Sequence, residues 1–169
     1  MLKKVFVING IAGSGKDTFV SMVGAIVPTV NYSSVSKIKD AAKLLGWDGE
    51  KDDKSRKFLS DLKRLSARYN NFPFKCMVKK IIDFFDDDIH EFLFLHIREP
   101  EEIERIVRLF KIQTVLVKND NVKQVTSNRS DAEVYEYDYD IIINNSGDLA
   151  SLNKTAEKFC EQQRNRVVP

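Results

Sequence analysis

Three glycines and a lysine define the narrowest chemistry in this chain. The run Gly10-Ile11-Ala12-Gly13-Ser14-Gly15-Lys16 has the spacing G-x-x-x-x-G-K of a phosphate-binding P-loop, or Walker A sequence. Glycine lets backbone N–H groups turn toward phosphate oxygens with no Cβ in the way. A helix opening behind the loop adds partial positive charge. The Lys16 ammonium can reach the β- and γ-phosphates and neutralise charge moving toward the leaving oxygen. The expected ATP-binding residues are Gly10, Ala12, Gly13, Ser14, Gly15, Lys16, Asp17 and Thr18. A serine or threonine ordinarily follows the lysine and places its hydroxyl on Mg²⁺. Here Asp17 stands in that place and Thr18 comes one later. Either the Asp17 carboxylate serves the metal, directly or through water, or Thr18 does, or Asp17 only caps the helix. The first reading is favoured, so the expected metal residues are Asp17 and Thr18.

Other cations are candidates because of where they follow apolar runs. Arg98 comes just after one such run, and its planar fork suits phosphate. It is expected to clamp phosphate between donor and acceptor, against the plainer alternative of an ion pair with Glu101 or Glu102. Lys37 and Lys39 fall in the first turn of an expected helix, where cations oppose the macrodipole and a bound anion would offset the cost. A substrate-phosphate role and a solvated surface role both remain open for them. Arg129, in the polar stretch with Lys118 and Lys123, is the candidate for a lid arginine that closes over ATP and excludes water, against an ordinary loop arginine. Catalytic roles are thus expected for Lys16, Arg98 and Arg129. Arg105 and Arg108 are expected to pair with Glu101 and Glu104 on a solvated helix face. His96 reads as a hydrogen-bonded strand-end residue, His90 as exposed, and Trp47 and Tyr69 as packing residues.

These residues need elements to hold them. Residues 5–9 form a short β-branched run that reads as a buried strand. A helix over 16–27 carries Phe19, Val20, Val23 and Ile26, and Pro28 ends it. Residues 29–32 make a second strand. Ser36 is the expected N-cap of a helix with Ile38, Ala41, Ala42 and Leu45 inward, stopped by Gly46. After a turn over 46–50, a helix over 52–69 presents Phe58, Leu62 and Leu65, and another over 74–85 presents Met77, Val78, Ile81 and Phe85. A third strand spans 91–97. Pro100 opens a helix striped by Ile103, Ile106, Val107 and Phe110. Strands over 113–118 and 141–143 flank a polar stretch, and Asp148 caps a last helix with Leu149, Leu152, Ala156 and Phe159. Five apolar strands alternating with helices predict an α/β fold. Its expected form is a three-layer P-loop NTPase architecture, a five-stranded parallel sheet with helices on both faces. Ligands of such sheets bind beyond the carboxyl ends of the strands.

The step Gly15-Lys16-Asp17-Thr18 resembles phage-type deoxynucleoside monophosphate kinases, a branch of the P-loop nucleotide kinases; the Lys-Asp step is also found in some phosphomevalonate kinases. Ser36-Lys37-Ile38-Lys39 is similar to the family's segment opening the substrate-side helix. Gly46-Trp47-Asp48-Gly49 with Lys51, Asp52 and Arg56 resembles its Gly-Trp-Asp stretch. Residues 96–103 resemble its Asp-h-Arg-x-Pro-x-Glu segment, and residues 139–147 its closing strand and turn. The resemblance implies a single kinase domain over residues 1–169, with a substrate-side helical segment at about 33–88 and a lid at about 119–138. It also implies substrate-binding roles for Ser36, Lys37, Lys39, Arg56 and Arg98. The sequence departs from the family at His96, which stands where an Asp is usual. No other apolar run ending in Asp supplies a Walker-B carboxylate.

Composition narrows the partners. The chain has 169 residues with 27 Lys and Arg against 25 Asp and Glu, a net charge of +2. That balance does not make a nucleic-acid footprint but suits an anionic small molecule. Cys76 and Cys160 are expected to be reduced, and neither has a metal-ligand spacing. No apolar run is long enough to span a bilayer, the basic-then-apolar N-terminus reads as a first strand, and the expected location is cytoplasmic. The expectation is ATP- and Mg²⁺-dependent phosphoryl transfer to a small phosphorylated acceptor, by a monomer or homodimer. The resemblance favours a (deoxy)nucleoside monophosphate, giving the diphosphate and ADP. A phosphomevalonate or dephospho-CoA type of acceptor, and a nucleotide-binding regulatory protein without efficient transfer, are the alternatives.

Overall fold

Alternation within the first strand sets the layering. The computed structural model describes residues 3–122 and 133–165. Strand β1 spans Lys4–Asn9 and is buried along its whole length. Its Phe6 and Ile8 join one core, and Val5 and Val7 join the other, as period-two geometry requires. The remaining elements in chain order are α1 (Lys16–Ile26), β2 (Thr29–Ser33), α2 (Ser36–Leu44), α3 (Asp53–Asn70), α4 (Phe72–Phe85), β3 (Phe92–His96), α5 (Pro100–Phe110) and β4 (Gln113–Lys118). A 3₁₀ turn (Glu133–Glu136), β5 (Ile141–Asn144) and α6 (Leu149–Asn165) follow.

The five strands lie in the order β2-β3-β1-β4-β5, all parallel. Helices α1 and α6 cover one face, where Phe6, Phe19, Phe92, Phe94 and Phe159 form an aromatic cluster with ring centroids 5.1–6.5 Å apart. Helices α4 and α5 cover the other with Met77, Ile81, Phe84, Ile103 and Ile106. Burying side chains of this size stabilises by about 1.5–3 kcal/mol each. The predicted five-stranded parallel sheet with helices on both faces is what the chain forms.

Caps and corners explain several boundaries. Asp52 accepts from the Ser55 amide at 2.7 Å and opens α3, Asp148 accepts from Ser151 at 2.8 Å and opens α6, and Pro100 sits in the first turn of α5. Other expectations need correction. Ser36 does not cap α2: it is the first helical residue, and its hydroxyl accepts from the Ser33 amide instead. Leu45 lies past the last turn of α2 and is 66% exposed. Leu65 is 65% exposed, whereas Lys63, on the opposite side of α3, is buried, so the helix packs on a face turned away from Leu65. Phe84, not Phe85, continues the buried Met77–Ile81 face of α4. Ile26 and Leu149, at helix ends, are exposed, and so is Tyr69. His90 is half-buried against Asp87 at 2.7 Å, a contact that helps the amides of His90 and Ile89 hold the Asp87 carboxyl below the usual carboxylate range.

Candidate nucleotide site at the carboxyl ends of the strands

The register of the sheet gathers the strand ends. His96 pairs with Ile8 on one side and Ser33 on the other, so Ile8, His96 and Ser33 lie in a row where the strands end, with Asn9 one residue further along β1. The loop from β1 to α1 rises over that edge. Gly15 precedes α1 with φ 88° and gives the helix no side-chain cap. The first-turn amides of an α-helix have no acceptor within the helix, so their partial positive charge faces whatever sits in the loop. This cradle fits a polyphosphate.

Two glycines are fixed by close approach. A Cβ at Gly10 would lie 2.5 Å from both Ser14 Oγ and the Val117 carbonyl. A Cβ at Gly15 would collide with the amide of Asn145, which donates to the Ser14 carbonyl at 2.9 Å. The turn after β5 therefore supports the loop from behind. Gly15→Ala should cost about 1–2 kcal/mol from the left-handed backbone alone. Displacement of Asn145 adds to that cost. Thermal denaturation should show the variant melting several degrees lower, with weakened ATP protection. A variant with unchanged melting would mean that the Gly15 conformation is not needed.

Around the loop the charged candidates converge on His96. Its Nδ1 lies 3.6 Å from Asp17 Oδ1, too long for a hydrogen bond. Burial pushes the imidazole down to about 4. The Asp17 charge works against that shift, and the Lys16 and Arg98 charges add to it. The ring is thus neutral at neutral pH and sits within electrostatic reach of Lys16, Asp17 and Arg98 together. Its Nε2 and the Ser14 hydroxyl are buried polar atoms with no protein partner. Asp17 and Thr18 are exposed on the first turn of α1, and Ala12 and Gly13 are exposed in the loop.

The remaining candidates are more peripheral. Lys37 and Lys39 are exposed on α2, with Lys37 paired to Asp40 at 3.1 Å. Lys37 also faces Cys76 of α4, a half-buried thiol raised by burial despite that charge. Arg56 is exposed in the first turn of α3, 3.5 Å from Asp53. Arg105 lies over the Phe74 ring, 3.9 Å from its centroid, rather than pairing with Glu101, whereas Arg108 does pair with Glu104 at 2.8 Å. Arg129 and Lys123 lie outside the described residues.

Four residues that sequence reasoning did not single out support the site. Asn9 accepts from the Gly10 amide at 2.8 Å. It donates to the Tyr139 hydroxyl at 2.8 Å and to the Arg98 carbonyl at 3.2 Å. Burial raises the Tyr139 hydroxyl to about 12, so it stays protonated. Asn145 holds the loop as described. Lys63 of α3 reaches Glu99 at 2.7 Å and Glu102 at 2.8 Å, and its side chain is only 11% exposed. Asn9 and Asn145 carried a signal, since each sits at the carboxyl end of a strand.

The sequence matches no family profile and no curated protein. Solved structures are similar in fold. Shikimate kinase from Aquifex aeolicus aligns over 95% of this chain and 98% of its own at 11% identity, with a TM-score of 0.51. A sugar kinase from Janibacter sp. aligns over 95% of each chain at 12% identity, with a TM-score of 0.55. Thymidylate kinase from Candida albicans aligns over 97% of this chain and 93% of its own at 13% identity, with a TM-score of 0.50. The chain therefore has the α/β fold of the P-loop kinases.

Proposed function

We propose that this chain transfers the terminal phosphoryl group of ATP to a (deoxy)nucleoside monophosphate, giving the diphosphate and ADP. The observation that carries the reading is the uncapped start of α1 behind Gly15, with Lys16, Asp17 and Arg98 all within electrostatic reach of His96. Loop amides and Lys16 bind and orient the donor phosphates. Arg98, at the end of β3, holds the acceptor phosphate against the donor, and Lys37, Lys39 and Arg56 hold the acceptor from the α2–α3 side. Ser36 shapes the start of that wall. Arg129 closes over the transferring group and excludes water. In-line transfer between phosphates needs positioning and charge neutralisation more than a base, so a neutral His96 is no obstacle.

The donor set fits Mg²⁺ brought in with the nucleotide, since that ion takes one or two protein ligands beside phosphate oxygens and water. Asp17, with Thr18 beside it, is the residue to hold it. When bound, the ion would neutralise charge on the bridging phosphate oxygens. Among the described residues no three His, Cys, Asp or Glu side chains gather into a metal cluster of their own. His96, standing where a Walker-B carboxylate is usual, favours a second reading, a nucleotide-binding regulatory protein without efficient transfer.

Incubation with ATP, Mg²⁺ and a panel of acceptors separates the readings. The panel holds deoxy- and ribonucleoside monophosphates, phosphomevalonate and dephospho-CoA. ADP and the phosphorylated product should rise together with one nucleoside monophosphate. ATP binding without acceptor-dependent ADP from any member would leave the regulatory reading. Turnover with phosphomevalonate or dephospho-CoA alone would reassign the acceptor.

A further inference from the structure

Arg98 is displayed from a corner pinned on two sides. Its own carbonyl accepts from Asn9, and the next residue, Glu99, is held with Glu102 by Lys63. The Asn9 amide can sit only one way round. Its oxygen faces the Gly10 N–H, and its NH₂ faces two oxygens, the Arg98 carbonyl and the Tyr139 hydroxyl. The Tyr139 hydroxyl donates to the Val134 carbonyl at 3.0 Å, so its lone pairs are left to accept from Asn9. All of this is buried: Asn9 is 1% exposed and Tyr139 8%. One amide therefore joins the first residue of the phosphate loop, the peptide of Arg98 and the segment entering β5.

We infer that Tyr139 is a positioning residue for Arg98. Its hydroxyl fixes the Asn9 amide, and Asn9 sets the Arg98 peptide at a constant place relative to Gly10 and the loop. The consequence is kinetic, because a clamp that must meet charge developing between two phosphates loses its effect when misplaced by a fraction of an ångström. The inference rests on the proposed phosphoryl transfer.

The test compares Tyr139→Phe, Arg98→Ala, the double variant and a control. Tyr139→Phe keeps the ring and removes only the hydroxyl. It should lower kcat roughly tenfold while leaving the KM for ATP within about twofold. In the Arg98→Ala background the same change should do nothing further, because the group it positions is gone. Thr114→Val is the control: it removes the two hydrogen bonds between the threonine hydroxyl and Asp140, next to Tyr139, and should leave kcat as it is. A full tenfold loss in the Arg98→Ala background overturns the inference, as does an equal loss in Thr114→Val or an undiminished kcat in Tyr139→Phe. An Arg98→Ala enzyme as fast as the parent overturns the clamp reading of Arg98 and this inference with it. Those two failures are therefore distinguishable.

Discussion

Replacing Lys16 by alanine should lower acceptor-dependent ADP release by a factor on the order of 10³, with the fold intact. The size follows from what the ammonium does. It lies at the start of α1, beside the loop amides and within electrostatic reach of His96. Amides alone can bind a polyphosphate, but they do not follow charge as it moves to the bridging oxygen. The lysine does, and interactions strengthened only in the transition state lower kcat when lost. Stability should change by less than about 1 kcal/mol, because a cation in the first turn opposes the helix dipole. Lys16→Arg should not rescue, since a planar fork cannot take the place of a compact ammonium inside the loop. The measurement is a steady-state assay beside a thermal melt. Unchanged turnover would remove the loop from the mechanism, and a collapsed melt would make the kinetic loss uninformative until repeated with Lys16→Met.

How much of this was legible in the sequence depended on range. The glycines, Lys16 and the strand–loop–helix order are local features, and the sheet followed from apolar runs of the right length. Residues at helix ends were misjudged because periodicity does not say where a helix stops touching its neighbour. Leu45 and Leu149 fit a stripe on paper but lie beyond the covered part of the sheet. Asn9 and Tyr139 are 130 positions apart, and no local pattern pairs them. Lys63 is the sharpest case. In a helix rich in charge it reads as one more solvated lysine. Only the crossing of α3 against the start of α5 shows it buried between two carboxylates.

That burial makes Lys63 the residue whose loss should damage the fold most. Burial opposes ionisation of both carboxyls. The Lys63 charge and hydrogen bond overcome it at Glu99, which is held below its ordinary value. Glu102, which also feels the Glu99 charge, is raised. Lys63→Met keeps most of the volume but leaves two carboxylates side by side with no cation, at a cost of about 3–5 kcal/mol. The sign with pH follows. Without the lysine both folded-state pKa values rise, so the folded chain takes up protons that the unfolded chain does not hold near neutrality. The deficit should therefore be largest at neutral and alkaline pH and shrink as pH falls through the carboxylate range, where a protonated Glu102 can donate to Glu99. Lys63→Met/Glu102→Gln should recover part of the loss at neutral pH and flatten that dependence, because an amide donor replaces the repelling charge. Urea unfolding of the three proteins at pH 5 and pH 8 reads both effects. Equal destabilisation at the two pH values, with no recovery in the double variant, would assign the loss to packing alone. Recovery would instead assign the loss to the uncompensated charge of the two carboxylates.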